Sequence, residues 1–442
     1  MRDHSASGVS PGYKWQLVAM LWFVCFFNYA DRQAIYAVFP KLKEEFGFDA
    51  VQLGLIGSAF MWVYAFGSPV AGYIADRVSR KHLILGGCLF WSAVTVMTGW
   101  CTKLWHFVTV RALEGVGETF YFPASMSLMG DYHGPRTRSK AFALHQSAVY
   151  GGTIGGSWLG AWFAEHHGWR WGFYFFGGIG MVLALILYRH VRDRPRGAAE
   201  HEGTPSPSAG EPAVLPPLPV GATLRLILRK PTAWLLLGGF MCANFVATVF
   251  LTWTPYFLVT KFGFKLTSAG LSGSVFIHLA SALSVPVAGF LADRWAARHP
   301  GGRMLVQALG LVGGTVFVST VGLTHDVFTL LAAMTCFGVC KGFYDSNTFA
   351  SLYDIVEPHA RASATGLMNM IGWGGGALGP LAVGLATKYG RHASEVENMS
   401  EAIAWGGAVY VAGAVLLLLA GLKFSRRDAV ASPLRESAPR TH

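Results

Sequence analysis

An all-α membrane protein, with twelve transmembrane helices in two pseudo-symmetric halves of six, is the architecture that this 442-residue sequence predicts. Three observations carry that reading. Hydrophobic residues make up 52% of the chain and charged residues only 13%, and the mean hydropathy is +0.40, so most of the chain must face lipid or a lipid-enclosed core. Apolar runs of about 20 residues, the length needed to cross a bilayer, recur along it. An internal repeat also aligns the two halves at one constant offset. Gly115, Val116, Phe120 and Tyr121 fall on Gly338, Val339, Phe343 and Tyr344, and the match continues without a gap through Asp131 and Asp354, Arg138 and Arg361, and Gly151-Gly152 and Gly374-Gly375. Glu118 falls on Lys341, so the halves place opposite charges at matched positions.

The predicted spans lie near 15–39, 51–74, 82–102, 105–129, 139–164 and 169–190, then near 232–259, 267–291, 304–323, 327–350, 362–388 and 402–423. The domains follow: a first six-helix half over 1–190, a linker over 191–230, a second half over 231–424 and a flexible tail over 425–442. The linker is rich in Pro, Gly, Ser and Glu, as in Gly203-Thr-Pro-Ser-Pro-Ser-Ala-Gly210, and cannot bury a core. Basic residues cluster in alternate loops: Arg77, Arg80 and Lys81 after span two, Arg136, Arg138 and Lys140 after span four, and Arg189 at the end of span six with Arg192 to Lys230 in the linker. By the positive-inside rule these loops, the linker and both termini are cytoplasmic, in a cell (inner) membrane.

The same distribution disposes of other classes. A formal net charge of +11 would suggest nucleic acid if the basic residues formed one face of a soluble domain, but they sit in short loops between apolar spans. The six cysteines make no CxxC or Cys/His ligand spacing and read as small packing residues, neither disulfides nor metal ligands. The first apolar run is too long for a signal peptide and lacks a clear cleavage site. No His cluster, nucleophile elbow or phosphate loop marks an enzyme, and no cofactor or metal is expected. The expected partners are the bilayer, a small solute and a coupling ion, with the chain a monomer.

In chain order, span one carries Asp31-Arg32 within Phe27-Asn-Tyr-Ala-Asp-Arg-Gln-Ala-Ile35. Interior charges cost about 2.5–3.5 kcal/mol each on insertion scales, so they persist when paired or facing water. Gly72-Tyr-Ile-Ala-Asp76-Arg77-Val-Ser-Arg80-Lys81 closes span two, and Gly289-Phe-Leu-Ala-Asp293-Arg294 echoes it after span eight. Glycine admits close helix approach and the Asp can pair with Arg or a helix N-terminus, so Gly72, Asp76, Arg77, Arg80, Gly289, Asp293 and Arg294 are candidates for a conformational latch; plain positive-inside anchoring explains the basic residues but not the repeated spacing. Span four carries Arg111, Glu114 and Glu118. Counting about 1.5 Å per residue, Asp31 and Arg111 lie at similar depth, which allows an Asp31–Arg111 pair, with Glu118 deeper near mid-membrane. A purely structural charge network is the competing reading. Glu114 stands one turn from both Arg111 and Glu118 and balances charge.

Lys341 and Asp345 stand at i, i+4 in span ten and read either as a self-neutralised pair or as a substrate-anion site opposite Glu118. Tyr121, His145, Gln146, Asn244, Asn369 and Trp373 are candidate cavity-lining hydrogen bonders, each also explicable as an interhelical contact.

The duplicated GxxxD-R loop motif, on twelve spans split six and six, resembles the major facilitator superfamily over nearly the whole chain. Gly151-Gly-Thr-Ile-Gly-Gly156 and Gly374-Gly-Gly-Ala-Leu-Gly-Pro380 resemble its glycine-rich fifth and eleventh spans. Asp31-Arg32, the spacing from Arg111 to Glu118, Tyr121-Phe-Pro-Ala and Leu251-Thr-Trp-Thr-Pro-Tyr-Phe-Leu258 look like the anion:cation symporter family, importers of hexuronates, aldonates, tartrate and related carboxylates. That resemblance implies Asp31 and Glu118 as proton-coupling carboxylates, with Arg32 and Arg111 pairing with them or attracting the anion; sodium could replace the proton. Span one is also similar to spinster-type lipid transporters. A spinster-like lipid exporter, a drug–proton antiporter and, from another class, a non-transporting membrane sensor are the alternatives to proton-coupled uptake of a small organic anion.

Overall fold

In the computed structural model the described residues are 11–75, 77–195, 198–199, 225, 229–357 and 361–429. Asp76, most of the linker and the tail beyond 429 lie outside them. Every regular element described is helical: α1 (Pro11–Ala37), α2 (Phe39–Phe46), α3 (Ala50–Ala75), α4 (Arg80–Thr98), α5 (Leu104–Thr119), α6 (Tyr121–Tyr132), α7 (Pro135–His166) and α8 (Trp169–His190) in the first half. The second half holds α9 (Pro231–Phe262), α10 (Leu266–Ala296), α11 (Gly302–Leu323), α12 (Val327–Asp345), α13 (Thr348–Tyr353), α14 (Arg361–Tyr389) and α15 (Glu395–Leu419), closed by a π turn and the short α16 (Ser425–Asp428). The all-α membrane architecture predicted from the sequence is the one observed.

Nine helices among the described residues are long and apolar enough to cross a membrane. The other spans are α1, the α5–α6 pair and α7. Two of these, α1 and α5, hold the interior charges Asp31, Arg32, Arg111, Glu114 and Glu118, which lower their hydropathy. Span four is broken at Phe120, between α5 and α6. Pro123 explains the break, because it has no N–H to offer the carbonyl of Thr119 and its ring crowds that carbonyl. Span ten breaks about one turn later by the repeat's offset, between α12 and α13, where Ser346 turns its hydroxyl to the carbonyl of Phe343 and Asn347 donates to Ser346.

The chain divides into two compact units: Met1–Pro212 with Phe250–Val275 and Pro380–Gly390, and Ala213–Val249 with Phe276–Gly379 and Arg391–His442. In the first unit, α7 lies against α1 through a small-residue stripe. A Cβ on Gly152 would strike the carbonyl of Phe26, one on Gly156 would strike the backbone of Ala30, and one on Gly160 would lie 3.0 Å from the Cα of Ala34. The stripe presses α1 into place immediately beside Asp31. On α5, a Cβ at Gly115 would lie 2.8 Å from the carbonyl of Phe60 in α3, and one at Gly117 would lie 3.1 Å from the Cβ of Trp91 in α4. The glycines thus seat the charged helix between α3 and α4.

The pieces of α9, α10 and α14 that belong to the first unit are tied to it by polar contacts. Gln33 donates to the carbonyl of Leu251 at 2.8 Å, Ser157 donates to the carbonyl of Gly270 at 2.7 Å, and Lys388 pairs with Asp49 at 2.7 Å. Glu165 accepts from the backbone N–H of Thr267, one of the orphan donors at the start of α10. In the connection between α1 and α3, the guanidinium of Arg170 and the indole of Trp169 donate to Glu45, and those bonds hold its carboxyl below the ordinary range.

The loop motifs are organised differently from the sequence expectation. A Cβ at Gly72 or Gly289 would meet nothing within 4 Å, so neither glycine is a point of close helix approach here. Arg77 and Arg294 are exposed. Arg80 is the buried member: it pairs with Asp131 at the end of α6 and reaches Asp193 at 3.2 Å. The second unit repeats the arrangement with Arg303, which bonds Asp354 at 2.6 Å and Asp293 at 2.8 Å. Arg80 and Arg303, like Asp131 and Asp354, obey the constant offset of the internal repeat.

Candidate functional site

The polar centre of the first unit is a group of five charged side chains supplied by two helices. Asp31 and Arg32 come from α1, and Arg111, Glu114 and Glu118 recur on one face of α5 at intervals of three and four residues. All five are between 1% and 3% exposed, so each charge must be answered from within the protein. A carboxylate oxygen from each of Asp31, Glu114 and Glu118 lies within 4.8 Å of the other two.

The pairing pattern is specific. Arg32 donates to Glu118 from Nε at 2.9 Å and also from Nη2, and its Nη2 reaches Asn28 Oδ1 at 3.3 Å. Its guanidinium stacks over the rings of Phe60 at 4.4 Å and Tyr29 at 4.5 Å. Arg111 pairs with Glu114, donates to the hydroxyl of Tyr36 at 3.3 Å and lies over Phe60 at 5.0 Å. Aromatic faces are favourable neighbours for a planar cation shielded from water. The expected Asp31–Arg111 pair is therefore not made. Depth along a straight helix placed the two residues level but says nothing about rotation, and α5 turns Arg111 toward its own Glu114.

Asp31 is left in a different position from the two glutamates. Among the described residues no arginine or lysine side chain forms an ion pair with it. Its Oδ1 accepts from the backbone N–H of Arg32 at 2.7 Å, and its Oδ2 lies 3.2 Å from the hydroxyl of Thr95 on α4. Three carboxylates and two guanidiniums leave one negative charge unanswered, and Asp31 is the carboxylate without a cation. Among the described residues, Glu118 Oε1 also lacks a hydrogen-bond partner. Chemically the group can hold one proton, or one small cation, in a region closed to bulk water.

The remaining sequence candidates scatter. Tyr121 and His145 are buried and bonded to each other at 2.8 Å, and the Tyr121 hydroxyl lies 2.7 Å from the carbonyl of Leu21. Gln146 is exposed. In the second unit Lys341 and Asp345 are half-buried and ion-paired along α12, Asn244 donates to the carbonyl of Phe240 at 3.0 Å, and Asn369 and Trp373 are half-buried. Thr95, Tyr36, Phe60 and Arg303 were not singled out from the sequence. Only Arg303 carried a signal there, the constant offset from Arg80; the others are ordinary span residues until α1, α3, α4 and α5 are packed.

The family model described as "Major Facilitator Superfamily" matches residues 21–321 and 266–441. A relative named "Probable anion transporter 4, chloroplastic", from Oryza sativa subsp. japonica, is 27% identical over 85% of this chain and 65% of its own length. "Protein spinster homolog 1" from Homo sapiens is 32% identical over 57% of this chain and 47% of its own length. The chain thus spans less than two thirds of the length of either relative. The crystal structure of a bacterial homologue of the human lysosomal transporter spinster, inward-facing and unoccupied, superposes with a TM-score of 0.82 at 21% identity, covering 96% of this chain and all of that one, a likeness of fold.

Proposed function

The chain belongs to the Major Facilitator Superfamily and is an integral membrane protein, and on that premise we propose that it is a transporter that takes up a small organic anion, such as a sugar acid or another carboxylate, together with protons by alternating access. The observation that carries the reading is the buried group of three carboxylates and two arginines with one carboxylate, Asp31, lacking a cation. A proton on Asp31 neutralises the group. An arriving anion competes for Arg32, which frees Glu118 to take a proton in turn, so binding of anion and proton support each other. Arg32 and Arg111 attract the anion, and Glu114 keeps Arg111 in place. The relative named as an anion transporter supports the substrate charge.

A thermal-shift screen of the purified protein against sugar acids, dicarboxylates, aromatic acids and lysolipids tests this, because a ligand specific to the folded state stabilises it by RT ln(1 + [L]/Kd). Stabilisation by one class of carboxylates supports the proposal. Stabilisation by lysolipids alone favours the second reading, lipid transport, for which the similarity to the spinster homologue speaks.

Lys341 is proposed as a further anion contact, held charged by Asp345 when no substrate is bound. Lys341→Met is expected to weaken anion affinity by about tenfold, ~1.4 kcal/mol, with Asp345→Asn milder. Normal affinity in the double variant Lys341→Met with Asp345→Asn would remove Lys341 from the binding site and leave a structural pair.

The linker and both termini are proposed to be cytoplasmic, in a cell inner membrane. A cysteine introduced at Ser206, outside the described residues, is expected to resist a membrane-impermeant thiol reagent in intact cells and to react after lysis. Efficient labelling in intact cells would reverse the orientation.

A further inference from the structure

We propose that Thr95 is a hydroxyl rotor that tunes proton release from Asp31, accepting a hydrogen bond when Asp31 is protonated and donating one when it is ionised. The inference rests on Asp31 as the proton carrier and adds a positioning residue on a separate helix. Thr95 is 1% exposed, and its Oγ1 lies 3.0 Å from the carbonyl of Trp91 and 3.2 Å from Asp31 Oδ2. A hydroxyl has a single hydrogen, and both neighbours are acceptors if Asp31 is ionised. One bond would then go unmade beside a buried negative charge.

Proton counting resolves the conflict. With Asp31 protonated, its Oδ2–H donates to Thr95 Oγ1 and the Thr95 hydrogen points to Trp91 O, so every group is satisfied. When the proton leaves, rotation about the Thr95 Cβ–Oγ1 bond redirects the hydroxyl hydrogen to Asp31 Oδ2. Trp91 O keeps the backbone N–H that the helix supplies. One proton leaves and no other group changes its proton count.

The charged and titratable groups facing Asp31 are Arg32 on its own helix, Glu114 and Glu118 on α5, and Cys88 on α4, with Arg111 turned to Glu114. None of them except the neighbouring backbone N–H of Arg32 donates a hydrogen bond to it. Thr95 is thus the one side chain among the described residues that hydrogen-bonds Asp31, and it serves both protonation states.

The test uses the proton itself as ligand: infrared difference spectra of the purified full-length protein, following the carboxylic-acid C=O band through a pH titration. Asp31→Asn should delete the band. Thr95→Val, nearly the same shape without the hydroxyl, should move the band and raise its titration midpoint by about one pH unit, roughly tenfold in proton affinity, because a bond to an ionised acceptor is about twice as strong as one to a neutral group. Thr95→Ser should restore both, which a packing role for the methyl group would not do; Thr95→Ala replaces the valine variant if that one fails to fold. A deleted band in Asp31→Asn with an unmoved midpoint in Thr95→Val, or a midpoint shifted downward, overturns the rotor while leaving Asp31 as carrier. A band that persists unchanged in Asp31→Asn overturns the carrier and the rotor together.

Discussion

Replacing Asp31 by Asn is expected to abolish accumulation of substrate driven by a pH gradient while leaving exchange of substrate across the membrane in place. The group of five charges holds one unanswered negative charge, and that charge sits on Asp31. An amide there is neutral in every conformation, so the proton that neutralises the resting group is no longer carried, and a coupling scheme that needs both Asp31 and Glu118 fails. A pH difference of one unit supports roughly tenfold accumulation for each proton moved with charge balance, and this falls to about one when coupling is lost. Exchange survives because it returns the transporter loaded and needs no net proton release. Glu118→Gln is expected to lose accumulation as well, through the second carboxylate that becomes free when the anion engages Arg32. Counterflow and gradient-driven uptake, measured side by side in proteoliposomes, check both variants. Concentrative uptake by Glu118→Gln at the parent's level would remove Glu118 from the coupling scheme, and the same result for Asp31→Asn would remove the scheme itself.

Arg32→Met is expected to be the most destabilising single change in the first unit. It leaves Glu118 ionised or forced to protonate in a closed site, and breaking a buried pair from one side costs about 3–5 kcal/mol. The double variant Arg32→Met with Glu118→Leu should recover most of that loss, because replacing both partners removes the uncompensated charge. Arg32→Lys should recover little. An ammonium on a flexible stem cannot lie flat between Phe60 and Tyr29 while donating twice to one carboxylate. Thermal unfolding of the three variants in the same detergent separates these outcomes; equal stability of Arg32→Met and the parent would show that the pair contributes nothing to the fold.

The architecture and the identity of the charged residues were readable from the chain alone, because both follow from one-dimensional quantities. Span length is set by bilayer thickness, and an internal offset such as that joining Gly115 to Gly338 survives in the residue order itself. The break in span four follows from Pro123, a local effect. The depth of Asp31 and Arg111 could be counted in the same way.

Their partnership could not. Asp31 and Arg32 are neighbours in sequence but roughly 100° apart around α1, and which of them meets α5 depends on how Gly152, Gly156 and Gly160 seat that helix. Rotation turned Arg32 onto Glu118, let α5 close Arg111 onto its own Glu114, and left Asp31 facing Thr95 on α4. Phe60 and Tyr29, which hold Arg32 flat, are indistinguishable from lipid-facing aromatics until the helices pack. Composition and periodicity specify which residues a membrane helix can carry; helix rotation and close packing decide which buried charge is paired and which is left without a cation.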